Sequence, residues 1–180
     1  MTQIFISYRR ADSAGITGRL YDHLTDTFGD ENVFQDVDSI PLGVDFRKHV
    51  NKQLKETDFV LVVIGRLWIN IADDTGKRRL DDPADFVRIE IETALQLGKP
   101  VIPVLVDGGH MPKIDQLPSS LHDLIFKNAA TIRHNPDFRR DVKKLIDAIH
   151  HYDFQVEEVQ PIDIALVLPQ PFEWCFIPSG

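Results

Sequence analysis

Phe59-Val60-Leu61-Val62-Val63-Ile64 constrains the fold more than any other segment of the chain. Six consecutive apolar residues, four of them β-branched, are too few for a membrane span, which needs about 20. They also lack the polar alternation of a strand with one wet face. The composition that remains is a strand covered on both sides, as in a parallel sheet. Parallel strands need crossover connections, usually helices, and the flanking sequence supplies them. Ile16, Leu20, Leu24 and Phe28 give helical spacing over 14–28, and Phe46, Val50 and Leu54 continue it in a second helix. A third is predicted from Asp82-Pro83, with Pro at the first helical position, to Leu97, where Gly98 stops it. A short helix over 119–125 and a closing one over 138–151 complete the set. Ile4–Tyr8, Val33-Phe34, Val101–Val106 and Ala129–Ile132 are the remaining strand candidates. Strand and helix alternate five times. That predicts an α/β, flavodoxin-like three-layer fold with a five-stranded parallel sheet and helices on both faces. Ligands in such folds sit at the carboxyl ends of strands where strand order reverses. The loops after Tyr8, Phe34 and Ile64 are therefore the places to search. The segment 36–45, rich in Asp and carrying Pro41 and Gly43, is one of them.

Composition narrows the function. Among 180 residues, 28 acidic side chains outweigh 20 basic ones for a formal net charge of -8, the wrong sign for a phosphate-tracking nucleic-acid binder. Cys175 is the sole cysteine, so neither an internal disulfide nor a multi-thiolate zinc site is expected. The chain has no Gly-x-Gly-x-x-Gly, no Walker loop and no His-Glu-x-x-His. Its seven histidines lack ligand spacing, and His150-His151 is expected to end a helix. No metal and no bound cofactor are predicted. Met1-Thr2-Gln3 has no basic region followed by an apolar stretch, so no secretory signal and no membrane partner are expected, and the expected location is the cytoplasm.

Two features carry chemistry. In the helix predicted over 82–97, Phe86, Val87, Ile91, Ala94 and Leu95 form an inward stripe, and Glu90 falls inside it. Glu92 lies about 200° around the helix from Glu90, on the outer face with Arg88 and Gln96. A carboxylate within an apolar stripe costs several kcal/mol unless it is partnered. Either Glu90 sits at the stripe's edge and pairs with Arg or Lys, or it faces a cleft. The second feature is Ser7-Tyr8-Arg9-Arg10, directly after the first strand. Adjacent guanidinium groups there either lie on solvated surface or bind a phosphate or carboxylate bidentately.

Four segments in this order resemble the Toll/interleukin-1 receptor (TIR) domain family across residues 1–152. Ile4–Arg10 resembles the first family box. The stretch 33–43 resembles the second box and its BB loop. Phe86–Leu95, followed by Gly98–Val104, resembles the helix and strand that bear the catalytic glutamate of NAD-cleaving TIR domains of the bacterial type. The resemblance implies a flavodoxin-like fold and an NAD+ nucleosidase that releases nicotinamide and leaves ADP-ribose or a cyclic isomer. NAD+ is then substrate rather than cofactor. Glu90 takes the catalytic position. Tyr8, Arg9, Arg10, Asp36, Gly43 and Phe86 take substrate-binding positions, with Phe86 standing where the family often carries Trp. The resemblance further implies self-association through TIR–TIR contacts that include the 36–45 loop, and a role in bacterial defence or stress signalling. Its alternative is a non-enzymatic TIR module that scaffolds other TIR domains, a class that commonly lacks the glutamate. A receiver domain is disfavoured, because the first strand has no clustered acidic residues for magnesium.

Charge divides the chain. Asp153, Glu157, Glu158, Asp163 and Glu173 lie in 153–180 with no Lys or Arg. The stretch 153–170 therefore reads as an acidic linker. The last ten residues, with Phe172, Trp174, Cys175 and Phe176, are similar to the opening strand of formylglycine-generating enzyme domains. They are expected either to begin a second domain or to dock back on the first.

Overall fold

The structure, a computed structural model, describes residues 1–35 and 46–158, with side chains up to residue 152. In chain order the elements are β1 (Ile4–Ser7), α1 (Arg10–Phe28), β2 (Val33–Gln35), α2 (Phe46–Glu56), β3 (Phe59–Ile64), α3 (Phe86–Gln96), β4 (Val101–Val106), β5 (Ala130–Ile132) and α4 (Phe138–Glu158). The five strands form one sheet in the order β2-β1-β3-β4-β5, and every pairing is parallel. Strand order reverses between β1 and β3.

The apolar run Phe59–Ile64 is the centre of this sheet. Successive strand side chains point to opposite faces. Phe59, Leu61 and Val63 enter the core beneath α1 and α4, with Leu20, Leu24, Val142 and Leu145. Val60, Val62 and Ile64 enter the second core beneath α2, α3 and a 3-10 helix at Ser119–Phe126, with Leu54, Ile91 and Leu121. Both faces are dry, which is why β3 has no polar alternation.

Several elements differ from expectation. Helix α3 starts at Phe86, not at Asp82-Pro83. Asp82 instead makes a turn, accepting Ala84 N at 2.9 Å on its side chain and Asp85 N at 3.0 Å on its carbonyl. The helix then opens one turn later, with Asp85 as N-cap accepting Arg88 N at 3.0 Å. Helix α1 starts at Arg10, ahead of the apolar stripe, and kinks at Ser13. The polar stretch 73–82 contains a 3-10 turn, Arg79–Asp81, that buries Leu80 completely. Helix α4 runs to Glu158, past the charge boundary at 152, since no Pro or Gly occurs before Pro161 to stop it. His150 and His151 consequently lie within α4 rather than at its end. His150 stacks on Phe28 at 5.1 Å.

The junction of α1 with β3 is tied by one side chain. Asp12 accepts Gly65 N at 2.8 Å and Leu67 N at 2.7 Å. This fixes the loop after β3, which carries fully buried Trp68 into the core on the α2 and α3 face.

Candidate active site

The carboxyl end of β1 meets the first turns of α3 at the switch in strand order. Ser7, the last residue of β1, is fully buried, and Glu90 is 3% exposed. The Ser7 hydroxyl donates to Glu90 Oε2 at 2.6 Å. The carboxylate lies on the wall of a cavity of about 450 Å³, together with Tyr8, Arg9, Arg10, Arg79 and Phe86. Ile6, Ile71 and Val87 supply its apolar lining. Glu90 thus faces a cleft, and its partner from β1 is a hydroxyl.

The two adjacent arginines part company. Arg9 is 3% exposed, and its Nη1 and Nη2 donate to both oxygens of Asp85 at 3.0 and 2.9 Å. Arg79 Nε donates to Asp85 Oδ2 at 3.0 Å. The Arg9 guanidinium carbon lies 5.8 Å from the Trp68 ring centroid, and Arg9 Nε and Trp68 Nε1 are buried without hydrogen-bond partners among the described residues. Arg9 therefore staples β1 to the cap of α3, and its fork is spent on that pair. Arg10 is exposed at the mouth.

Phe86 departs from the inward stripe assigned to it. Val87, Ile91 and Ala94 are buried as expected, but Phe86 is 49% exposed. Its ring lies 4.1 Å, centroid to centroid, from Phe46 at the start of α2. As the first residue of α3 it reaches past the core and forms an aromatic wall of the cavity. Glu92 is partnered on the other side of the helix, accepting Arg88 Nε at 2.6 Å and the Ser120 hydroxyl.

The structure thus brings Tyr8, Arg9, Arg10, Phe86 and Glu90 together. Asp36, Gly43 and the rest of the 36–45 loop lie outside the described residues, as does the 171–180 tail. Sequence reasoning passed over Asp85, Arg79 and the role of Ser7. Asp85 carried a usable signal: an Asp three residues before Arg88 at a helix start is an N-cap pattern.

A model of the TIR domain matches residues 4–156. The chain belongs to the TIR-domain family. Among solved structures, the TIR domains of the activated Roq1 resistosome directly recognizing the pathogen effector XopQ superpose with a TM-score of 0.62 at 14% sequence identity. The match covers 83% of this chain and 99% of the other. At that identity the likeness is one of fold. In this TIR domain the strand-order switch carries a buried carboxylate, an aromatic wall and an exposed arginine around one cavity. No helix among the described residues is long and apolar enough to cross a membrane.

Proposed function

We propose that this TIR domain is an NAD+ nucleosidase in which Glu90 is the catalytic carboxylate. The observation that carries the proposal is the placement of Glu90: a buried acid, hydrogen-bonded by Ser7, on the wall of a cavity of about 450 Å³. That volume falls in the small-molecule range of about 300–1,000 Å³.

One carboxylate suffices for this chemistry. When the nicotinamide–ribose bond of NAD+ breaks, the electron pair leaves with nicotinamide, which departs neutral and needs no proton. Positive charge develops on the ribose. An anionic oxygen in a partly dry site stabilises that charge more than water does. The second carboxylate of ordinary glycosidases has no leaving group to protonate. Arg10 at the mouth is suited to the pyrophosphate, and Phe86 offers a face for stacking. Arg9 acts through Asp85, by holding α3 where Glu90 meets Ser7. Capture of the ribosyl carbon by water gives ADP-ribose, and capture by the substrate's own adenine gives a cyclic isomer. The activity would suit a defence or stress-signalling effector that switches on by self-assembly in the cytoplasm.

Glu90→Gln keeps the size and hydrogen-bonding capacity of the side chain but removes its charge. Nicotinamide release by concentrated protein is expected to fall by about 100-fold or more, with an unchanged circular dichroism spectrum. Chromatography of NAD+ incubations measures both nicotinamide and the ribosyl product. Undiminished release by the variant, or none by the wild type at high concentration, would leave this fold as a docking module.

A further inference from the structure

A second cavity, of about 640 Å³, opens at the carboxyl ends of β4 and β5 and shares no lining residue with the Glu90 cavity. Its charged and titratable walls are Arg66, Asp107, His110, Arg133 and His134. From these we propose that it is a phosphate site, taking the phosphate or diphosphate group of a small nucleotide.

The charge pattern selects the ligand class. The chain as a whole is acidic, at -8, yet this wall carries Arg66, Arg133, His110 and His134 with Asp107 as its one lining carboxylate, and Arg66 is the cation that Asp137 and Asp141 do not engage. That carboxylate, Asp107, is occupied by His134 Nε2. Arg133 is already engaged at all three guanidinium nitrogens, by Asp141 from Nε and Nη2 at 2.8 Å and by Asp137 from Nη1 at 3.0 Å. Arg66 is exposed and makes no hydrogen bond or ion pair among the described residues. A planar guanidinium with its fork open pairs bidentately with phosphate.

The backbone around Arg66 is fixed in advance. Asp12 holds the amides on either side of it, those of Gly65 and Leu67. The loop after β4 lies flush on the end of β3: a Cβ at Gly109 would stand 2.1 Å from the Ile64 carbonyl oxygen. Asp107 (φ 51°) and Gly108 (φ 75°) turn that loop through two consecutive left-handed residues, and Asp107 is the sole non-glycine with positive φ among the described residues. Left-handed backbone at a non-glycine concentrates at ligand sites. A Cβ at Gly108 would lie 3.4 Å from Arg66 Nη2, so the guanidinium rests directly over the loop. Three loops, after β3, β4 and β5, therefore present Arg66 across a preformed concavity, and binding a phosphate there requires little reordering.

The test titrates the ¹⁵N-labelled full chain with pyrophosphate, ADP and adenosine. Pyrophosphate and ADP are expected to shift the Gly108 and Gly109 amides, and adenosine to leave them in place. Arg66→Glu, at an exposed position, should weaken pyrophosphate binding at least tenfold. Arg66→Lys, which keeps the charge but loses the fork, should fall between. Wild-type affinity in Arg66→Glu, or shifts confined to Tyr8, Arg9, Arg10 and Phe86, would overturn the proposal. No NAD+ turnover enters these measurements, so a catalytically silent protein that still binds pyrophosphate through Arg66 would refute the nucleosidase and leave this site standing.

Discussion

Arg9 and Glu90 sit at the same junction of β1 and α3, and they show what a single residue discloses before its neighbours are known. Glu90 was conspicuous in the sequence because spacing alone put a charge among Val87, Ile91 and Ala94, which the structure buries. Local periodicity also placed Phe86 inward, but an angle around a helix does not give depth, and the first residue of α3 projects beyond the core. The fate of Arg9 was not legible at all, because its partner Asp85 is 76 residues away. That pair is a buried bidentate bridge, and its loss strands a cation out of water. Asp85→Asn preserves an N-cap side chain while removing the charge that holds Arg9 and Arg79. The variant is expected to lose about 3–5 kcal/mol of stability, read from urea unfolding. A change below about 1 kcal/mol would mean that the cap, not the ion pair, is what Asp85 contributes.

At the scale of elements, the strands were easier to foresee than the helix starts. The β3 and β4 runs announce themselves by composition, whereas α3 begins where Asp85 wins a competition with the turn residues Asp82 and Pro83. Turn chemistry and helix-cap chemistry use the same residue types, so sequence marks the region but not the residue. The tie between β5 and α4 is a similar side-chain decision. Arg133, just after β5, donates from Nε and Nη2 to the two oxygens of Asp141 in the first turn of α4, both at 2.8 Å. This hydrogen bonding, with the nearby charges of Arg133 and Arg140, holds the Asp141 carboxyl down at about 2 against the opposing effect of burial. In the unfolded chain an aspartate titrates near ~3.9. A carboxyl depressed by folding adds stability that is fully present above its unfolded value and disappears as pH falls through its folded value. The contribution of Asp141 should thus fade between about pH 4 and pH 2. Asp141→Asn is expected to be less stable than the wild type at neutral pH and to lose less on acidification across that window. Urea midpoints collected at a series of pH values check this, and parallel curves for the two proteins would contradict it.

For the whole molecule, the parallel sheet and its two covered faces followed from counting alternations, but the completeness of the site did not. The 36–45 loop joins Gln35, at the carboxyl end of β2, to Phe46, whose ring meets Phe86 at the cavity wall. The second of these anchors therefore touches the wall of the Glu90 cavity. At the same end of the sheet Phe86 is 49% exposed and Leu67 52% exposed, which leaves apolar side chains open to solvent. If a neighbouring TIR domain closes the cavity, catalysis follows mass action: the active species is an assembly, and its fraction grows with concentration. Initial rates of nicotinamide release should then rise more steeply than in proportion to protein at low concentration. They should become proportional only once assembly is complete. A dilution series of the full chain at saturating NAD+ measures this directly. A rate proportional to protein over the whole series would mean that one copy of the chain closes its own site, and that the exposed Phe86 serves the substrate rather than a partner.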